Sequence, residues 1–333
     1  LADAERTTIV LVTRADASAL REAGRAGGEL TALGIANQRL VVNGVLADDG
    51  DDDGGRAWMT RQVTALAEMP ATLASLPRQV VPLAAFDLTG LAALRAFAAG
   101  AAPQPAGPTA STAGAPALPG MDALVRDLGA SGHGVVMTMG KGGVGKTTLA
   151  VTIALGLARA GHRVHLTTTD PAAHVDNALA DAVSGALPPT LTVGRIDPAG
   201  ETARYSAEVL SAAGELEPDE RALLEEDLSS PCTEEIAVFR AFARVVDEAR
   251  DGFQVVDTAP TGHTILLLDA AESYHREVAR TQGTHIPEAV RALLPRLRDG
   301  TFTRMLLVTL AESTPVREAE RLQADLQRAG IAP

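Results

Sequence analysis

Gly140-Lys141-Gly142-Gly143-Val144-Gly145-Lys146-Thr147-Thr148 is the stretch that decides the fold of this 333-residue chain. Gly140, four further residues, then Gly145, Lys146 and Thr147 have the spacing of a phosphate-binding loop. The apolar run Gly134 to Met139 before it has strand character, and the run Leu149 to Arg159 after it has helix character, so the loop stands at a strand-to-helix turn. Its glycines let backbone N–H groups, including those of Val144 and Thr148, gather around a phosphate chain. Lys146 is long enough to reach the β- and γ-oxygens, and the Thr147 hydroxyl is placed to hold Mg²⁺. A glycine-rich turn with no ligand would account for Gly140, Gly142, Gly143 and Gly145, but it leaves Lys146-Thr147 in register without a reason. An ATP or GTP site is expected.

Lys141, directly after the first glycine, marks the deviant form of the loop, the signature-lysine class. In that class the extra lysine reaches across a subunit or pseudo-subunit interface to the partner's nucleotide, so two nucleotide-binding halves are expected. An exposed loop lysine is the simpler alternative. Strands alternate with helices on both sides of the loop, which predicts an α/β fold of the P-loop NTPase type with a mostly parallel sheet flanked by helices.

Two further strand patterns end in carboxylates. Arg163 to Thr168 runs into Thr169-Asp170-Pro-Ala-Ala-His174, and Asp170 stands where hydrolases place a group that orients water or completes the metal shell. Capping of a following helix is the alternative for Asp170. Phe253 to Val256 runs into Asp257-Thr-Ala-Pro-Thr-Gly-His-Thr264, in which Asp257 takes the position of the carboxylate that accepts from Mg²⁺-bound water. His263 follows Gly262 on a segment that would sense the γ-phosphate, so a ligand on His263 would be coupled to hydrolysis. Ser229-Ser-Pro-Cys-Thr-Glu-Glu235 has the form of a helix start, with Ser230 as N-cap, Pro231 in the first position, and Ile236, Phe239, Phe242 and Val246 as its apolar stripe. A thiol in the first turn of a helix has its thiolate favoured by the helix dipole, which makes Cys232 either a soft-ligand site or a small buried residue.

Composition narrows the partners. With 46% hydrophobic and 21% charged residues the chain is globular, and a net charge of −13 argues against nucleic acid or an anionic membrane as main partner. A single cysteine excludes a disulfide within the chain and suits a reducing compartment. No segment approaches the roughly 18 to 20 apolar residues that span a bilayer, so direct membrane insertion is not expected. The acidic run Leu46 to Gly55 starts like a calcium loop but has Thr60 where the closing glutamate belongs, and is expected to be a solvated surface loop.

Residues 99–120, rich in Ala, Pro and Gly, have the composition of an interdomain linker. On its left, strands are expected at Thr8 to Thr13 and Leu40 to Val45, with helices at Ser18 to Leu33 and Ala57 to Ala74. The flanks are related: Val12-Thr13-Arg-Ala-Asp-Ala-Ser-Ala-Leu-Arg-Glu-Ala matches Val308-Thr309-Leu-Ala-Glu-Ser-Thr-Pro-Val-Arg-Glu-Ala without a gap, 296 positions apart, and the register persists to Gly34-Ile35 against Gly330-Ile331. One domain type is therefore expected twice, with residues 1–98 as the C-terminal part of a first half and 121–333 as a second half cut at its C-terminus. On that offset the first half's phosphate loop would lie ahead of residue 1.

Taken together, the loop, Thr168-Thr-Asp-Pro-Ala-Ala-His174, Ser230-Pro-Cys-Thr-Glu-Glu235 and Asp257-Thr-Ala-Pro-Thr-Gly-His-Thr264 resemble the arsenical pump-driving ATPase family in its fused, two-half form. The resemblance implies ATP and Mg²⁺ as cofactors, with Lys141, Lys146 and Asp170 in catalysis, Thr147, Asp170 and Asp257 at the metal, and Asn43 among the nucleotide-contacting positions. It implies arsenite or antimonite at Cys232, Ser230 and His263, and hydrolysis that energises a membrane efflux pump. Partners implied are that pump subunit, a metalloid chaperone and the absent first-half segment; the implied location is cytoplasmic, at the inner membrane through the pump. The family employs several cysteines where Cys232 is one. A related targeting factor for tail-anchored membrane proteins is the alternative, weakened by only six methionines and no Cys-x-x-Cys. A spatial-organising ATPase fits less well, because the chain is acidic.

Overall fold

The computed structural model describes residues 3–47, 53–84, 86–100, 118–169, 175–183, 185–214, 217–258 and 287–331. The chain divides into two compact units, Leu1–Thr112 and Ala113–Pro333. The first contains β1 (Ile9–Thr13), α1 (Ala17–Ala32), β2 (Gln38–Val45), α2 (Asp53–Ala67), α3 (Ala71–Ala74), β3 (Arg78–Pro82) and α4 (Gly90–Ala98). Its sheet is parallel, in the order β1-β2-β3. Leu11, Leu40 and Val42 on one face of that sheet join Leu20, Ala65 and Leu73 in a single core. The other face is open at β1, with Val10 and Val12 49% and 64% exposed.

The helical stretch expected over Ala57 to Ala74 is broken between Ala67 and Ala71. Pro70 is the cause: its ring disfavours helix in the residue before it and removes a donor. β3 escaped the sequence patterns because it is short and bounded by Pro77 and Pro82, which an edge strand tolerates. Residues 48–52 of the acidic run and 101–117 of the linker lie outside the described residues.

The second unit contains α5 (Met121–Gly129), β4 (Gly134–Met139), α6 (Lys146–Arg159), β5 (Val164–Thr168), α7 (Val175–Ala182), β6 (Leu191–Arg195), α8 (Pro198–Ala213), α9 (Pro218–Leu228), α10 (Pro231–Glu248), β7 (Phe253–Asp257), α11 (Glu288–Arg298), β8 (Thr303–Leu307) and α12 (Ser313–Arg328). Its five-stranded sheet is wholly parallel, ordered β6-β5-β7-β4-β8. β4 is buried along its full length, as expected of a strand covered on both faces. Val135, Met137 and Met139 face a core with Phe239, Phe242 and Val246 of α10. Val136 faces the opposite core with Ile153, Leu157, Leu166 and Val255. β6 was not expected from the sequence; Thr192 and Gly194 interrupt its short apolar pattern, and it survives as an edge strand beside β5.

Helices α1 and α12 coincide when shifted by 296 positions, Ala17–Ala32 against Ser313–Arg328. Their ends close alike. Gly34 and Gly330 have φ of 81° and 77°, and Ile35 N donates to the Leu30 carbonyl at 3.0 Å as Ile331 N does to that of Leu326 at 2.9 Å. Glycine is needed at both positions because the chain leaves each helix through the left-handed region.

Candidate nucleotide site

Everything that marks the site stands at the carboxyl ends of β4, β5 and β7, the side of an open parallel sheet where ligands bind. β4 delivers the chain to Gly140 with the backbone already pinned: Val308 N donates to the Met139 carbonyl at 2.7 Å. A Cβ at Gly140 would lie 2.3 Å from the Val308 carbonyl oxygen, so nothing larger than hydrogen fits there. Gly143 and Gly145 then take φ of 79° and 93°, turning the loop into α6, whose N-cap is Gly145. The open amides of that helix start, with its dipole, suit an anion.

Lys146 is 7% exposed and its Nζ donates to the Lys141 carbonyl at 3.1 Å, so the amine lies over the loop it would share with a phosphate. Lys141 itself is exposed, as are Gly142, Gly143 and Thr148, while Val144 is buried beneath the loop. Thr147 Oγ1 donates to Asp257 Oδ2 at 2.7 Å. Asp257 ends the fully buried β7 and is 1% exposed. Hydroxyl and carboxylate oxygens are the hard donors Mg²⁺ prefers, and among the described residues no group of three or more His, Cys, Asp or Glu could hold a metal ion. Such a partial set suits an ion that keeps several waters and phosphate oxygens in its shell. The residues fit Mg²⁺.

Hydroxyls that the sequence patterns did not single out surround Asp257. Thr138 Oγ1 donates to Asp257 Oδ1 at 3.4 Å, and Thr168 Oγ1 donates to the Asp257 carbonyl at 3.2 Å. Thr258 Oγ1 donates to the Thr138 carbonyl at 2.8 Å. The sequence signal for Thr138 is that it is the polar side chain within the run Gly-Val-Val-Met-Thr-Met of β4.

Asp170 and His263 lie outside the described residues. The last described residue before Asp170, Thr169, donates its amide to the Asp257 carbonyl at 3.0 Å. Ser230 is the N-cap of α10, as its position before Pro231 implied, but its hydroxyl makes no capping bond and contacts Thr233 Oγ1 at 3.2 Å instead. Cys232 is exposed in the first turn of that helix, so it is not the small buried residue that was the alternative. α10 has 18 residues, about 27 Å of helix, and joins β7 through the short turn Ala249–Asp251. It therefore runs back along the sheet and carries Cys232 towards the strands' carboxyl ends. In the first unit Asn43 is exposed on β2 and lines an open depression of about 380 Å³ with Thr13, Arg14 and Glu22.

Comparison with known proteins gives the family. The family model described as "Anion-transporting ATPase" matches residues 1–101 and 133–294. The arsenical pump-driving ATPase of Escherichia coli is 48% identical over 100% of this chain, and that of Acidiphilium multivorum 47%. A putative arsenical pump-driving ATPase of Halobacterium salinarum is 29% identical over 98% of the chain. The chain spans 56% of the length of each of these relatives. With a strand, loop and helix of the phosphate-binding form, a buried carboxylate bonded to the loop threonine, and similarity across both units, this chain belongs to the anion-transporting ATPase family.

Proposed function

We propose that this chain is part of an ATPase whose hydrolysis of ATP drives extrusion of arsenite or antimonite by a membrane pump. The observation that carries it is the 2.7 Å bond from Thr147 Oγ1 to Asp257 Oδ2, which joins the loop helix to the neighbouring strand end where Mg²⁺ would sit. Mg²⁺ there would neutralise charge on the β- and γ-phosphates. Lys146 and the loop amides would bind and orient the triphosphate, and Asp170 would orient the attacking water or join the metal shell. Exposed Lys141 is free to extend towards a nucleotide in a second half.

Two observations support division into halves, with residues 1–98 ending one, 99–120 linking, and 121–333 belonging to the next. α1 and α12 have the same bounds and the same closing bonds at a constant offset. The open face of the β1–β3 sheet also departs from the two-sided cover normal for parallel sheets, as it would if further elements of a first half belong there. Asn43 would contact nucleotide in that first half.

Cys232, with Ser230 and His263, is our proposed metalloid site, because trivalent arsenic and antimony favour thiolates and the thiol is exposed. Further cysteines of the longer protein would complete it. Among the described residues no helix is long and apolar enough to cross a membrane, so the pump subunit would hold the ATPase at the inner membrane from the cytoplasmic side, with a metalloid chaperone supplying the ion.

Calorimetry of Mg-ATP on this chain should show binding that Lys146→Ala removes; equal affinity in the variant would refute the nucleotide site. In the whole protein, antimonite should stimulate ATP hydrolysis and Cys232→Ala should lose that stimulation. Undiminished stimulation would remove the metalloid role and leave the ATPase standing.

A further inference from the structure

Helix α9 (Pro218–Leu228) is held by local chemistry and not by a core, since none of its residues is buried. Pro218 stands at its first position, Glu220 Oε2 accepts from the Glu217 amide at 3.3 Å, and Asp219 and Glu220 suit the positive end of the helix dipole. Glu226 and Asp227 have no such reason. They stand in the last turn, where the dipole disfavours a carboxylate, and no basic residue accompanies them there. Among the described residues the carboxylates of Asp219, Glu226 and Asp227 make no ion pair, whereas Glu225 pairs with Arg221 at 2.9 Å.

Spacing gathers these carboxylates around one apolar side chain. Residues three and four apart share a helix face, and the neighbours of Leu223 at those distances are Asp219 and Glu220 on one side and Glu226 and Asp227 on the other. All five are exposed, Leu223 to 64%. Leu224 and Leu228, one turn apart, are the half-buried side of the helix, and α8 lies beside it. An apolar centre with a charged rim is the anatomy of a protein interface in miniature. Its partner must bring an apolar group to Leu223 and cations on either side, about 10 Å apart, the rise of two helical turns. A second copy of this chain, with its net charge of −13, and an anionic lipid surface are both repelled by such a face. Lys and Arg are in excess in the cytoplasmic loops of membrane proteins. α9 also leads through Ser229 and Ser230 directly into α10, in whose first turn Cys232 is exposed.

We propose that the outer face of α9 docks a Lys/Arg-rich cytoplasmic loop of the membrane pump subunit, with an apolar side chain of that loop on Leu223 and its cations on Asp219 with Glu220 and on Glu226 with Asp227. This rests on the pump reading above and adds to it the place where the pump attaches.

The test is sedimentation of the whole protein with inverted inner-membrane vesicles that contain the pump subunit, against vesicles that lack it. Glu226→Lys combined with Asp227→Lys keeps the helix, because cations suit that end of its dipole. This double variant should bind the pump vesicles about tenfold or more weakly, with a flatter dependence on salt. Leu223→Ala should weaken binding about five- to tenfold and keep the salt dependence of the unmodified protein. Hydrolysis of ATP without vesicles should be unchanged in both. Unaltered vesicle affinity in either variant overturns the proposal, and so does a loss of vesicle-free hydrolysis in both, which would make α9 a structural part of the ATPase. Should the unmodified protein bind both kinds of vesicle alike, or neither, the pump reading itself fails and this inference with it, while the nucleotide site stands.

Discussion

A methyl group at position 140 has no room, and that fact separates two kinds of glycine in the loop. At Gly140 a Cβ would meet the Val308 carbonyl at 2.3 Å with φ at +152°, and both atoms belong to backbone that is hydrogen-bonded in place. At Gly142 an added Cβ meets nothing within 4 Å. Gly140→Ala should therefore lower the unfolding free energy of the chain by about 1–3 kcal/mol, the usual cost of backbone strain of this sort, whereas Gly142→Ala should leave it within about 0.5 kcal/mol. Urea unfolding followed by circular dichroism checks both, and equal effects at the two sites would mean that the strand end yields to accommodate the methyl. The loop was legible in the sequence because each of its demands selects a residue type: no side chain at 140, positive φ at 143 and 145, an amine at 146, a hydroxyl at 147. Thr138 was not, since threonine is ordinary in a strand and only its three-dimensional neighbour, 119 positions away, gives the hydroxyl a purpose.

Equivalent helices with unequal caps give a prediction for the elements. Asp16, the N-cap of α1, accepts from the amides of Ser18 at 2.9 Å and Ala19 at 3.2 Å and from the Ser18 hydroxyl at 2.6 Å. At the matching position before α12 stands Glu312, which makes no side-chain cap bond; Pro315, where α1 has Ala19, also has no amide hydrogen to offer. Asp16→Ala should cost about 1 kcal/mol, and Glu312→Ala close to none. Partial burial by itself would raise the Asp16 pKa, but the bonds from Ser18 and Ala19, helped by Arg21, outweigh it and hold the group below 3.8. A depressed acid stabilises the fold above its unfolded pKa, so the gap between wild type and Asp16→Ala should close as pH falls from about 4 through the folded value. A gap that persists at lower pH would assign the effect to packing. Long amphipathic elements such as these two helices were readable from their spacing, and β4, β5 and β7 from short runs rich in apolar and β-branched residues. The short edge strands β3 and β6 were not, because half-exposed positions accept proline, glycine and threonine and so dilute the pattern.

At the scale of the whole chain, the parallel sheet followed from strand-helix alternation, but the order β6-β5-β7-β4-β8 depends on contacts that no local pattern encodes. The chain divides into its two compact units between Thr112 and Ala113. Each unit has a core of its own: Leu11, Leu20, Leu40, Val42, Ala65 and Leu73 in the first, and in the second the two layers on either side of β4. The phosphate loop, Thr147 and Asp257 all belong to the second unit. A ligand stabilises only what it binds, so Mg-AMP-PNP at about 100 times its dissociation constant should add about 2.7 kcal/mol to the second unit and leave the first where it was. For a unit of that size each kcal/mol corresponds to roughly 2–4 °C in melting temperature, which predicts an upward shift of about 5–10 °C in one calorimetric transition and none in the other. The single tryptophan, Trp58, lies in the first unit, so fluorescence should follow the unshifted transition while circular dichroism follows both. If the tryptophan signal moves with nucleotide by the full amount, the two units unfold as one body and the division into separately stable halves does not hold.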